Sequence, residues 1–296
     1  MISNGKFYES QFEEATIELL REAHWQYAFG DDIHRKYTDP LIEEDLRNFL
    51  AVQYKDKNLT TSEMDSIVAN LRNTGGQNDY YALRNTFLLY RDGYDFEYSD
   101  GRSNPFRLEY IDFEHPDHNI FRCVNQFVME QGRENRRPDI LLYINGIPVC
   151  IIELKNPTKQ NATIHDAHTQ ICTRYMRDIP ALLKYCALAV ISDGAKNALG
   201  ATYTPFEFFY EWKKIENEDK AGKGLDTLRT LIRGAISPER ILEILRDYVY
   251  FPDPTKEDDT TEIVCRNQLV IATRRLRDHV LDHLRSVGGD GMGGRD

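Results

Sequence analysis

The most apolar part of the chain is broken at one point. Ile140 to Ile144 and Ile147 to Ile152 are almost uniformly apolar, and Asn145-Gly146 divides them. Unbroken apolar runs of this length predict strands buried on both faces. Asn-Gly between two such runs predicts a two-residue hairpin, because both residues tolerate the positive φ that the turn requires. Ala187 to Ser192 predicts another short buried strand, and Arg107 to Asp112 and Ile120 to Met129 predict two more. Tyr81 to Tyr98, rich in aromatic residues, reads as strand material around an Arg91-Asp92-Gly93 turn.

Elsewhere the apolar spacing is helical. Phe12, Ala15, Thr16, Leu19 and Ala23 share one stripe over Ser10 to Ala23. Asp39 to Asn73 is helical, with Leu41, Leu46 and Leu50 in its first part, Ile67, Val68 and Leu71 in its second, and a helix start at Thr61-Ser62-Glu63. Thr163 to Arg177 predicts a further helix. Ser237-Pro238-Glu239 opens another that runs to about Tyr248, with proline at its first position. Phe206 to Ile215 is aromatic and is expected to pack on the core. Glu262 to Arg285 reads as a basic amphipathic helix with Val264, Leu269, Ala272, Leu276 and Val280 on its apolar side. Gly101 to Pro105, Asn217 to Gly224, Lys256 to Thr261 and the glycine-rich end from Val287 are polar connectors.

The hairpin carries the chemistry. Its closure brings Asp139, at the start of the first strand, beside Glu153 and Lys155 at the end of the second. Glu153 and Lys155 are two apart and share a side of their strand. Two carboxylates that close repel each other unless a cation lies between them, and ligation by oxygen alone suits Mg²⁺. This is the layout of a metal-dependent site that cleaves phosphodiesters. Acid-x-Lys alone is common: Glu211-Trp212-Lys213 and Glu218-Asp219-Lys220 repeat it here. Neither follows an apolar run paired with an upstream aspartate. The competing reading of Glu153 and Lys155 is a surface ion pair at a strand end.

Composition narrows this picture. The 296 residues, 41% hydrophobic, suffice for one large or two modest domains with a core. The net charge of −11 argues against a general nucleic-acid coat. A nuclease remains open, because a local basic rim can meet phosphates that a larger assembly presents. Arg136 and Arg137, ahead of Asp139, and Arg174 downstream are the candidates, each with a surface ion pair as the alternative. The five cysteines are dispersed, with no Cys-x-x-Cys pair, and fit a reduced, cytoplasmic setting. No run of eighteen apolar residues predicts a membrane span. His115 with His118 and His165 with His168 are spaced for zinc, but no third or fourth ligand has fitting spacing, so both pairs read as surface histidines.

Pro138-Asp139 followed by Glu153-Leu154-Lys155 resembles the PD-(D/E)xK nuclease superfamily. The surroundings more narrowly resemble the N-terminal nuclease region of the type I restriction enzyme R subunit. The match runs from Tyr110-Ile111-Asp112-Phe113 through Asn125-Gln126-Phe127, Arg136 to Asp139 and the hairpin to Asn156-Pro157. It continues to Arg174-Tyr175, Asp178-Ile179-Pro180 and Ile191-Ser192-Asp193-Gly194. The resemblance implies an α/β fold, a restriction-endonuclease-like core with a central mixed sheet flanked by helices. It implies Mg²⁺, with Mn²⁺ as a substitute, held by Asp139, Glu153 and the Leu154 carbonyl, and double-stranded DNA as substrate. It points to Glu13 as an accessory acid on the first helix, against the alternative of a solvated glutamate. Relatives place a Gln and a Tyr, three residues between them, on the helix after the Glu-x-Lys strand. Here Gln170 and Tyr175 have four residues between them, about 140° apart on an ideal helix.

The same resemblance implies residues 1–253 as an endonuclease domain and 254–296 as a linker and helix leading into an ATP-driven motor. No Gly-x-x-x-x-Gly-Lys-[Ser/Thr] loop is present, so the chain reads as a fragment that stops before the motor. Gln268 matches, by position, a Gln that contacts adenine in such motors. Methylation and specificity subunits are the implied partners. The alternatives are a non-cleaving docking or DNA-binding module of nuclease fold, and a stand-alone repair nuclease.

Overall fold

The computed structural model describes residues 4–155, 163–215, 222–252 and 260–289, with side chains from residue 10 to 285 within those ranges. Asn156-Pro157, most of the Asn217–Gly224 connector, the expected boundary at 253/254 and the end of the glycine-rich tail lie outside the described residues.

A six-stranded mixed sheet forms the centre. Its strands are β1 (Gln26–Phe29), β2 (Phe121–Asn125), β3 (Ile140–Ile144), β4 (Ile147–Leu154), β5 (Leu188–Ser192) and β6 (Asn197–Ala201), neighbours in that order. The pairs β1–β2 and β4–β5 are parallel, and the other three are antiparallel. A parallel pair needs a crossover. The first crossover carries α2 (Glu43–Gln53), α3 (Thr61–Asn73) and α4 (Asp79–Asp92). The second carries α5 (Ile164–Thr169) and the irregular turns that extend it to Asp178. The first helix, α1, spans Asn4–Glu22. The α/β fold with a central mixed sheet flanked by helices is therefore present. Both faces of the sheet are buried: Leu142, Cys150, Ile152 and Val190 pack on one side, and Leu141, Ile151, Ala189 and Ile191 on the other.

The hairpin turn forms at Asn145-Gly146, with φ of 50° and 77°. The glycine is also required by space, since a Cβ there would stand 2.1 Å from the Ile42 carbonyl oxygen. A bulge interrupts the hairpin. Tyr143 pairs with Pro148, but Leu142 pairs with Cys150, so Val149 is an extra residue. Pro148 cannot donate to the ladder, which locates the irregularity. The bulge has a consequence for parity. A regular two-residue hairpin would set Asp139 opposite Ile152, on the face away from Glu153. The extra residue gives Ile140–Ile152 pairing, which carries Asp139 opposite Glu153 and onto its face.

Two expectations are corrected and one is refined. Tyr81 to Tyr98 is mainly the helix α4, followed by a short strand, Tyr94–Phe96. Tyr80, Leu83, Phe87 and Tyr90 are buried at helical spacing, Asn78 caps the start by accepting the Tyr81 N–H at 3.1 Å, and Gly93 ends it. Aromatic content suggests a strand, but the period and caps prevail. Over Asp39 to Asn73 the two expected parts are separate helices, broken at the 3₁₀ turn Lys55–Lys57 and left-handed Asn58; the expected start at Thr61-Ser62-Glu63 is present, with Thr60 and Glu63 forming its capping box. The C-terminal helix spans Asn267–Gly289, with Ile263–Val264 a short strand before it. Among its described side chains Asn267, Val270 and Arg274 are buried, the last paired with Glu243 at 2.7 Å, while Leu269, Leu276 and Val280 are exposed. No helix among the described residues is long and apolar enough to cross a membrane.

Candidate active site

Strand β4 ends between two neighbours, so its last residues are framed on both sides. Glu153 pairs in register with Ile191 of β5, and the Lys155 N–H extends the ladder to the Ser192 carbonyl at 2.7 Å. The side chain of Glu153 is 1% exposed and that of Lys155 is 15% exposed. Asp139, half-buried across the hairpin, accepts the Leu154 N–H through Oδ2 at 2.7 Å. That bond ties the carboxylate of one strand to the backbone of the other.

Four side chains close a hydrogen-bonded ring. Lys155 Nζ donates to Glu153 Oε1 at 2.8 Å and to Gln170 Oε1 at 2.7 Å. Gln170 Nε2 donates to the Tyr175 hydroxyl at 2.6 Å, and that hydroxyl donates to Glu153 Oε2 at 3.3 Å. The ring explains the unusual spacing of Gln170 and Tyr175. Residues Gln170–Tyr175 form a π-turn between two α-helical segments. Bonding i to i+5 turns residues five apart toward one side, and a π-bulge absorbs a single extra residue in a helix.

The electrostatics follow from burial and crowding. Loss of water around Asp139 and the Glu153 charge push its carboxyl well above the usual carboxylate range, with Glu13 adding to the rise; the Leu154 N–H and Lys155 oppose it. Burial and Glu153 likewise push the Tyr175 hydroxyl up, so it stays a donor. Glu13 on α1 is held by amides: it accepts from Asn125 Nδ2 at 2.8 Å and Gln126 Nε2 at 2.9 Å. Asn125 in turn accepts the Tyr27 hydroxyl at 3.0 Å. Glu13 is thus close enough to Asp139 to act on it. Asn125, the last residue of β2, and Gln126 thereby join the candidate site; the sequence marks them only as part of the resemblance, through Asn125-Gln126-Phe127.

The remaining candidates are scattered. Arg136 is ion-paired with Glu134 at 2.5 Å and Asp178 at 2.7 Å. Arg137 and Arg174 are exposed. Gln268 is exposed on the first turn of the C-terminal helix, next to Leu269, which lines a cavity of about 300 Å³ with Tyr210, Glu262 and Arg266. A cavity of about 770 Å³, lined by Arg35, Asp39, Glu43, Arg47, Arg72 and Lys184 among others, contains none of the candidates. Along its wall Arg72 pairs with Asp39 and Arg47 with Glu43.

Residues 6–208 match the type I restriction enzyme R protein N-terminus family. The chain belongs to this family. It is 31% identical over 256 residues to the type I restriction enzyme HindI endonuclease subunit of Haemophilus influenzae, covering 82% of this chain and 24% of that protein. It is 28% identical over 261 residues to a provisionally named type I restriction enzyme MjaIXP endonuclease subunit of Methanocaldococcus jannaschii, covering 80% and 25%. The chain thus spans about a quarter of the length of these relatives. Within the type I R-protein family, the donor set here fits a hard divalent cation. It consists of carboxylates on one sheet face, deprived of water, one of them pushed toward its neutral form by the other's charge.

Proposed function

We propose that the chain is the Mg²⁺-dependent endonuclease domain of a type I restriction enzyme R subunit and hydrolyses phosphodiesters of double-stranded DNA. The observation that carries this reading is the Lys155–Gln170–Tyr175–Glu153 ring with Asp139 on the same face. Asp139 and Glu153, with the Leu154 carbonyl, would hold the ion, and Mn²⁺ would substitute. When bound, the ion supplies activation of a water and neutralisation of phosphate charge.

The chain's own residues do the rest. The Leu154 N–H orients Asp139. Gln170 and Tyr175 fix Lys155 and Glu153, so the ammonium stands at one place beside the carboxylates. From there the Lys155 ammonium can orient the attacking water and stabilise charge that develops on the phosphoryl oxygens. Glu13, held by Asn125 and Gln126, adds negative charge on the far side of Asp139. Exposed Arg137 and Arg174, with Arg136, would meet DNA phosphates.

In the full protein, residues 1–253 would form the nuclease domain and 254–296 a connection to motor domains driven by ATP, with Gln268 at the adenine edge. Methylation and specificity subunits would complete the cytoplasmic complex. Asp139→Ala, Glu153→Ala or Lys155→Ala should each abolish cleavage by that complex and leave the fold nearly intact. An Asp139 variant that cuts at the wild-type rate refutes the assignment.

A further inference from the structure

A second cluster of metal-ligating side chains stands at the turn end of the hairpin, away from Asp139. The Asp112 N–H and Asn145 Nδ2, from the hairpin turn, both donate to Asn119 Oδ1, at 2.9 and 2.8 Å. Strand β4 runs eight residues from that turn to Leu154. At about 3.3 Å per residue the two ends are some 25 Å apart. Groups at Asp112 therefore take no part in chemistry at Glu153.

Asp112, His115 and His118 each place a ligand atom within 4.8 Å of the others. His118 Nδ1 is 2.9 Å, and His115 Nδ1 3.4 Å, from Asp112 Oδ2. These spans have a simple meaning. Two ligands each 2.0–2.1 Å from one ion stand roughly 2.9 Å apart at an octahedral right angle and roughly 3.4 Å apart at the tetrahedral angle. The local backbone produces the convergence. Pro116–His118 is a 3₁₀ turn, in which side chains three apart eclipse. The two imidazoles accordingly stack, with centroids 4.9 Å apart and planes 21° from parallel.

The third donor is preorganised. Asp112 is buried, and its Oδ1 accepts the N–H groups of Glu114 and His115 at 3.0 and 2.9 Å. Gln53 Nε2 donates to Oδ2 at 3.1 Å, alongside the imidazoles. The imidazoles, in contrast, are more than half exposed, so an ion can enter from solvent and complete its shell with water. In sequence the histidine pair lacks a third ligand of zinc-like spacing; the fold provides it three residues upstream, as an aspartate.

We propose that Asp112, His115 and His118 form a second metal site, for a transition ion of the Zn²⁺ class, which braces the 112–119 loop against the hairpin turn. Two imidazoles and one carboxylate suit Zn²⁺ and its neighbours, where the all-oxygen set at Asp139 suits Mg²⁺. The test is calorimetric titration of the chelator-treated intact chain with Zn²⁺, with Co²⁺ visible absorption as a second readout. Wild type and Asp139→Ala/Glu153→Ala should each bind one equivalent at this site and give the ligand-field bands of His- and carboxylate-bound Co²⁺. His115→Ala/His118→Ala, whose side chains are exposed and whose loss leaves the core untouched, should lose more than about 100-fold in affinity. That exceeds the 10- to 100-fold typical of an outer partner's loss. Asp112→Asn tests the carboxylate, with circular dichroism to establish that the loop variant folds. The proposal is overturned if wild type binds no Zn²⁺, if the histidine variant binds as wild type does, or if binding is lost only in the Asp139/Glu153 variant.

Discussion

Gln170 and Tyr175 provide the sharpest test of the ring, because they touch each other and act on Lys155 and Glu153 from opposite sides. Tyr175→Phe removes the hydroxyl that accepts from Gln170 at 2.6 Å and donates to Glu153 at 3.3 Å. Gln170→Ala removes the acceptor of Lys155 at 2.7 Å. A hydrogen bond to a charged group contributes roughly 1.5–3 kcal/mol. About 1.4 kcal/mol is tenfold in rate, so each single variant should cut some 10- to 100-fold more slowly. The bonds form one chain, so the two losses should not add. Once Gln170 is gone, Tyr175 has lost its link to Lys155, and the double variant should be little worse than the worse single one. The coupling energy should then be about 1–2 kcal/mol, within the range seen for side chains of one network. The assay is single-turnover DNA cleavage by the assembled complex for wild type, both singles and the double. A double variant whose loss is the product of the single losses refutes the ring. So does Tyr175→Phe at the wild-type rate.

Two further outcomes follow from charge. Asp139 has a raised folded-state pKa, so its carboxyl contributes no penalty at a pH below its unfolded value, and a growing penalty as pH rises toward the folded one. Metal-free Asp139→Asn should therefore be more stable than wild type near pH 8, read as a higher Tm, and equal to it near pH 4; a variant less stable at both pH values contradicts the charge argument. Arg137→Ala/Arg174→Ala should lower the slope of log affinity against log salt for DNA by up to about 2, near one for each phosphate that is no longer neutralised, and an unchanged slope would remove both residues from the DNA path.

Much of this was readable before the fold was known. The apolar runs and Asn145-Gly146 identify β3 and β4, because a strand buried on both faces has no polar positions to confuse the pattern. Parity was harder. That Asp139 and Glu153 share a face depends on Val149 being an extra residue, and in sequence the only trace of it is Pro148 inside a strand. The spacing of Gln170 and Tyr175 looked wrong for the same kind of reason: the helix absorbs one residue as a π-turn, which propensity does not report. Tyr80 to Tyr90 has strand-like residues at helix-like spacing, and the caps at Asn78 and Gly93 settled it. Glu13 could be placed only once α1 lay beside Asn125 and Gln126, contacts more than 110 residues apart in the chain. On the C-terminal helix the apolar side was legible but its burial was not, since burial needs a neighbour.

On the proposed reading Asp139, Glu153 and Lys155 cut DNA, and ATP hydrolysis belongs to other domains of the full protein. The most direct measurement follows cleavage of DNA carrying the recognition site and ATP hydrolysis side by side, in complexes assembled with full-length wild-type or Asp139→Ala R subunit. Asp139→Ala should hydrolyse ATP as wild type does while leaving the DNA uncut. Cutting at the wild-type rate by Asp139→Ala would contradict it and leave the domain as a docking module of nuclease fold.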